Sequence, residues 1–252
     1  GLEPLAEILR AQATTRTIEE EATAFVDAEK GVESVQDAID GAKDILAEVY
    51  ADDADYRTKL RAMTKESGSL VAKAKDEEAD SVYEMYYDFS EPIKKLVGHR
   101  ILAINRGEAE KFLTVKIEAP RQEILLWLVK QIIGNMKHDS ASYLYEAITD
   151  SYDRLIAPSI EREIRNELTE KAEEGAIGVF GKNLHQLLMQ PPISGQVVLG
   201  WDPGFAHGSK LAVVDETGKV LDTVIIYPTK GQKNYDAAKQ VCLLYTSDAA
   251  DE

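Results

Sequence analysis

One carboxylate stands where chemistry could be done. Asp202 ends the apolar run Val197-Val198-Leu199-Gly200-Trp201 and sits at the tip of a Pro203-Gly204 turn. An acid at a strand end is a natural metal ligand. Cleavage of a phosphodiester by two metal ions asks for more, because several carboxylates must hold ions roughly 4 Å apart. Asp215 and Asp222 lie near strand ends but read as turn or surface residues. Asp202 is therefore expected to be a remnant metal ligand or to organise its own turn by accepting backbone N–H bonds. No catalytic residue and no cofactor is expected, and the chain is expected not to be an enzyme.

Other residues could meet nucleic acid. Arg100 and Arg106, nearly on one helical face, are candidate phosphate contacts, although Glu91 and Glu108 could pair with them instead. His99 has no neighbouring nucleophile and reads as a helix-start histidine with a structural hydrogen bond. His138, His185 and His207 are too scattered to suggest a zinc site. Tyr83, Tyr86, Tyr87 and Phe89 could stack on bases. Their helical spacing, with Glu84 and Asp88 between, favours core packing. Gly-Phe-Ala-His-Gly at 204–208 lacks the Lys-Ser/Thr ending and strand-to-helix context of a phosphate loop.

The elements that must position these residues change character along the chain. Residues 1–67 read as successive helices. Pro4 suits a first turn, Thr17 and Glu20 have capping-box spacing, and Ser34 caps a helix whose apolar residues recur from Val35 to Val49. Ser69 to Ala72 is a strand or an extended linker. The charged run Lys75 to Asp80 reads as the start of a solvated helix face. Gly107 stands where a helix would need a left-handed exit, and Phe112 to Ile117 suggest one strand. Residues 120–190 return to helices, with one long or kinked helix from Pro158 to Gln190, ended by Pro191-Pro192. Beyond that pair, Val197 to Trp201, Lys210 to Val214 and Val220 to Tyr227 read as three strands joined by short turns.

Charge is uneven. Of the formal net charge of -16, residues 1–89 supply 22 acidic and 10 basic side chains, whereas residues 90–240 hold 20 and 19. Acidic surface repels phosphate, so the first third is a poor nucleic-acid surface. There is no apolar run suited to a membrane span and no disulfide framework, which fits a cytoplasmic protein. The one cysteine, Cys242, opens the run CLLYTSDAADE. That run back-translates to a common transposase sequencing adapter, so residues 241–252 are expected to be an artefact that is unstructured or poorly packed from Cys242 onward.

The run VLGWDPGFAHGSKLAVVDETGKVLDTVIIYP resembles the start of the YqgF-type, RNase H-like domain of the Tex family. YYDFSEPIKKLVGHRILAINRGE, AITDSYDRLIAPSIEREIRNELTEKAEEGAIGVFGKNLHQLL and VQDAIDGAKDILAE resemble earlier blocks of the same family, in the same order. The resemblance implies an α+β chain. Residues 1–192 would be a mainly helical, helix-turn-helix-like body, and 193–240 the first three strands of a truncated RNase H-like domain. It implies a fragment of an RNA-binding transcription accessory protein that acts as scaffold. RNA or DNA would be met mainly through family domains outside this chain, with the transcription machinery as a further partner. It also puts Asp202 where such folds carry their first metal-binding aspartate. The alternatives are a metal-dependent nuclease or Holliday-junction resolvase related to YqgF, favoured by further carboxylates on later strands, and a helical protein-interaction module.

Overall fold

Caps set the first helices. Helix α1 (Glu3–Ala11) carries Pro4 in its first turn and stops at Gln12, whose φ of 51° is left-handed. Thr17 and Glu20 form the reciprocal capping box of α2 (Ile18–Ala22), and Ser34 forms one with Asp37 at α3 (Val35–Asp52). The Asp53 carboxylate accepts from the N–H groups of Asp55 and Tyr56 and starts α4 (Ala54–Ser67). The computed structural model describes all residues except 192, 194, 205–206, 230–231 and 247–252. Pro192 of the expected boundary, Phe205 and Ala206 of the loop, and the tail from Ser247 lie outside the described residues. The chain forms two compact units, Gly1–Gly181 and Lys182–Glu252.

In the first unit, α1 to α4 share a core with α6 (Arg121–Ile132) and α7 (Ser140–Asp150). Leu9, Ile39, Leu46, Leu60, Leu128 and Leu144 are fully buried there. Each such side chain contributes about 1.5–3 kcal/mol of apolar burial. A π-helical turn, Ser151–Ile156, follows α7 directly and leads into α8 (Ala157–Leu188). Ile156 of the π turn, then Ile160 and Ile164 of α8, carry the same core onward.

A second core lies under a small sheet. Strands β1 (Ser69–Ala74), β2 (Asp88–Pro92) and β3 (Leu113–Glu118) are antiparallel in the order β2-β1-β3. Helix α5 (Gly98–Ala109) packs against them, and Leu70, Ala72, Tyr83, Tyr86, Ile104, Leu113 and Val115 are buried together. Ser69 to Ala72 is thus strand rather than linker. The aromatic cluster packs as expected, Tyr83 and Tyr86 buried and Tyr87 and Phe89 partly so, but the helical spacing behind that expectation is not a helix. Glu84–Tyr86 is a single 3-10 turn, and Asp88 to Pro92 pair with β1. Nor does Lys75 to Asp80 begin a helix. It is exposed turn in the β1–β2 connection, where Ala74 and Lys75 N–H groups still bond Tyr87 and Phe112 carbonyls.

Charges on α4 and α8 interlock. Arg57 donates to Ser159 Oγ and Glu163 Oε1, both at 2.8 Å; Arg61 pairs with the other Glu163 oxygen and Lys65 with Glu167. The donors step every four residues along α4 and meet acceptors stepping every four along α8. Burial works to raise the Glu163 carboxyl, but the hydrogen bonds from Arg61 and Arg57 outweigh it and hold the pKa below the ordinary carboxylate value.

The second unit is a meander. Strands β4 (Val198–Asp202), β5 (Ser209–Val214) and β6 (Val220–Ile226) are antiparallel in chain order. Helix α9 (Gln232–Thr246) covers one face, with Leu211, Ile226 and Ala238 buried and Leu199, Val224, Val241 and Cys242 around them. Of the chain expected to be unstructured or poorly packed from Cys242, the part to Thr246 is helical in α9, and Cys242 packs partly on this core. Leu243 and Leu244 are exposed. The architecture is α+β: a helical body with a small sheet, then a three-stranded sheet.

Gly107 is not a helix exit. It lies inside α5, and the left-handed residue beyond that helix is Lys111, at φ 68°. The reason for glycine is packing, since a Cβ there would stand 2.7 Å from Leu113 Cδ1 and 3.1 Å from Tyr83 Cδ1. Both neighbours are core. Gly107→Ala should cost about 1–3 kcal/mol from overpacking, beyond its gain of roughly 0.5–1 kcal/mol in helix propensity. Urea unfolding with an unchanged or higher midpoint would sink this account. A second expectation concerns pH. Because the folded pKa of Glu163 is depressed, its contribution is present above the unfolded carboxylate pKa and lost as pH falls through the folded one. Glu163→Gln should therefore flatten the loss of melting temperature between about pH 5 and pH 3. An identical pH profile in the two proteins would count against the pairing.

Candidate nucleic-acid interface and metal position

Helix α5 positions both candidate arginines, and they differ in what is left to them. Arg100, in the first turn, donates to Glu91 Oε1 at 2.7 Å across to β2. Its charge is already committed. Glu91 is the more enclosed partner, with 18% side-chain exposure, and its second oxygen is buried without a hydrogen-bond partner. Arg106, in the last turn, is exposed and forms no ion pair among the described residues. Of the two, Arg106 is the one free to meet a phosphate. His99, beside Arg100, is exposed at the helix start. His138 instead closes a local network, bonding Ser140 Oγ at 2.8 Å and the Thr14 carbonyl at 3.0 Å.

Glu108, a possible partner for these arginines by sequence, belongs to α8. Arg165 forks onto both of its oxygens and reaches Asn105 Oδ1 at 3.3 Å. Asn105 in turn donates to Thr169 Oγ1 at 2.8 Å. One turn earlier on α8, Glu161 Oε1 accepts the Ile117 N–H of β3 at 3.0 Å. These contacts fasten α5 and β3 to α8. Sequence reading did not single them out, although the four-residue spacing of Glu161, Arg165 and Thr169 marks one helix face.

Asp202 sits in the second unit at the end of β4, in register with Lys210 of β5. Both are exposed, and Asp202 makes no side-chain hydrogen bond among the described residues. The turn-forming role falls to Asp215. Its Oδ1 accepts from Thr217 N–H, Thr217 Oγ1 and Lys219 N–H at 2.7–2.9 Å. The Thr217 hydroxyl, then the backbone donors, pull the Asp215 carboxyl below its ordinary range. Asp222 stands on β6 opposite Val213. Among the described residues, no group of three or more His, Cys, Asp or Glu side chains is placed to hold a metal ion. Beside Asp202, the sheet face carries a shallow trough of about 710 Å³ over Gly200, Ala212, Thr223 and Ile225.

A helical body with a charge-fastened long helix, then an antiparallel meander with an acid at the end of its first strand, defines an α+β class. A family model described as Tex central region-like matches residues 13–180, and one described as Tex protein YqgF-like domain matches residues 196–249. The chain belongs to the Tex family. It is 45% identical over 252 residues to uncharacterized protein YdcI of Bacillus subtilis, covering 97% of this chain and 35% of that protein. It is 35% identical over 229 residues to human S1 RNA-binding domain-containing protein 1, covering 85% and 23%. It is 33% identical over 235 residues to transcriptional accessory protein Tex of Neisseria gonorrhoeae, covering 90% and 30%. The chain thus spans about a third or less of these curated relatives. No described helix is long and apolar enough to cross a membrane.

The Arg100–Glu91 pair makes a stability prediction. Arg100→Ala strands a mostly enclosed carboxylate, which should cost about 1–2 kcal/mol after allowance for the exposed arginine side. Adding Glu91→Gln should return part of that loss. Thermal unfolding of the two single variants and the double variant measures it. A single-variant loss with no recovery in the double would argue against the pairing.

Proposed function

We propose that this chain serves as scaffold in an RNA-binding transcription accessory protein of the Tex family and does no catalysis. The observation that carries the reading is the ordered match to both the Tex central region and the YqgF-like domain. Relatives named for transcription accessory function and for an S1 RNA-binding domain support it. RNA or DNA is the expected partner, with most contacts made by parts of the longer protein, and the transcription machinery is a further one. The cytoplasm is the expected compartment.

The geometry favours scaffold over nuclease. Asp202 has a lysine as its cross-strand neighbour rather than a second acid. Of the other acids of the meander, Asp215 is taken up by its own turn. A single carboxylate leaves a magnesium ion mostly hydrated and poorly placed for two-metal cleavage. Around α8, Arg57, Arg61, Lys65 and Arg165 are already paired. Nucleic-acid affinity of this chain alone should therefore be weak and steeply salt-dependent.

The purified chain, incubated with labelled single- and double-stranded RNA and DNA in magnesium or manganese, should leave every substrate intact. Cleavage that vanishes in Asp202→Asn would overturn the scaffold reading in favour of a nuclease. Anisotropy titrations with the same RNA test the arginines. Arg106→Ala should weaken binding and reduce the slope against log salt by about one. An unchanged slope would remove Arg106 from the interface.

A further inference from the structure

A cleft of about 350 Å³ lies in the first unit between the ends of α4 and β3, the start of α6 and the π turn that leads into α8. π turns interrupt helices at functional sites more often than elsewhere. Ile117, Ala157 and Ile160 give the cleft an apolar lining. Tyr152, from the π turn, lines it too. That residue is 3% exposed, and its hydroxyl oxygen, the part that reaches solvent, has no hydrogen-bond partner among the described residues. Burial raises its pKa, so it stays a neutral phenol able both to donate and to accept.

The charges of the cleft are unbalanced. Its one cation, Arg121, is spent on Asp153, donating Nε to Oδ1 at 2.9 Å and Nη2 to Oδ2 at 2.6 Å. Glu118 and Glu161 also line the cleft, and neither has a cationic partner among the described residues. Glu161 uses one oxygen on the Ile117 N–H, which leaves the other for a ligand. An anion would meet two uncompensated carboxylates, and a purely apolar group would leave them and the phenol unsatisfied. A side chain with an aliphatic stem and a cationic head satisfies both the lining and the rim.

We propose that this cleft receives an arginine or lysine side chain from a partner polypeptide, with Tyr152, Glu118 and Glu161 as its polar contacts. A polypeptide fits better than a free amine. Sites for free small molecules enclose most of the ligand, whereas this one is open to solvent and small. The inference goes beyond the nucleic-acid reading and does not depend on it.

The test uses the full chain and a fluorescein-labelled peptide of alternating glycine and arginine, beside its citrulline counterpart, which keeps the stem and loses the charge. The arginine peptide should bind and the citrulline peptide should not. Neutralising Glu118→Gln with Glu161→Gln keeps the acceptor for Ile117 and should weaken binding roughly fivefold, as two partly screened contacts are lost. Tyr152→Phe alone should weaken it roughly two- to fivefold. Neutralising the exposed pair Glu29→Gln with Glu33→Gln should change it less than about twofold. Circular dichroism checks each variant, and if the double variant unfolds, Tyr152→Phe and Glu118→Gln decide. Equal losses in the cleft and control pairs, no loss in the cleft variants, or equal binding of the citrulline peptide overturns the proposal. Competition by free agmatine as effective as that by unlabelled arginine peptide, compared per guanidinium group, overturns the choice of a polypeptide.

Discussion

The first half of α8 is the constraint on which the rest of the first unit depends. Together with Ile156 of the π turn, one stripe of that helix, Ile160 and Ile164, completes the core of the helical body. Its polar faces fasten everything else. Glu163 holds two arginines of α4, Glu161 holds a backbone N–H of β3, and Arg165 holds Glu108 of α5. Three elements that do not share one apolar interface are thereby registered against a single rod. Apolar burial supplies most of the free energy, but it is non-directional. The charge-assisted contacts fix which turn of α8 each neighbour meets.

The same arrangement takes several arginines out of the surface available to a phosphate. Arg57, Arg61, Arg100, Arg121, Arg154 and Arg165 each face a carboxylate. Arginines that hold a fold together are poor instruments for holding a phosphate, because the new contact must displace an existing fork. A nucleic-acid role for this family member therefore has to lean on cations outside these pairs or on other parts of the longer protein.

Much of the helical body was legible in the sequence. Capping boxes at Thr17 and Ser34 are local signals, set by side chains within one turn of the groups they satisfy. The meander after residue 197 was legible for a similar reason, since short turns join strands that pair with their sequence neighbours. The small sheet was less so. Strand β2 begins only two residues after a 3-10 turn, and its aromatic residues mimic helical spacing, so only pairing with β1 reveals it. Gly107 misled because glycine has two uses, a left-handed backbone and close approach, and sequence alone does not say which. The Tyr152 cleft was invisible because its walls come from residues 64 to 161 and meet only through tertiary packing.

The Glu161–Ile117 contact has a consequence for how the protein fails. Strand β3 ends the small sheet on one side, and an open border of backbone groups is a template for strands from other molecules. Glu161 closes part of that border with a side chain rather than with another strand. The guard, however, rides on α8. Any excursion that lifts α8 from the body withdraws the carboxylate and uncovers a pairing edge at the same moment. Loss of helix docking and onset of intermolecular strand addition are then one event, and the threshold for aggregation is set by the attachment of a helix rather than by the sheet itself.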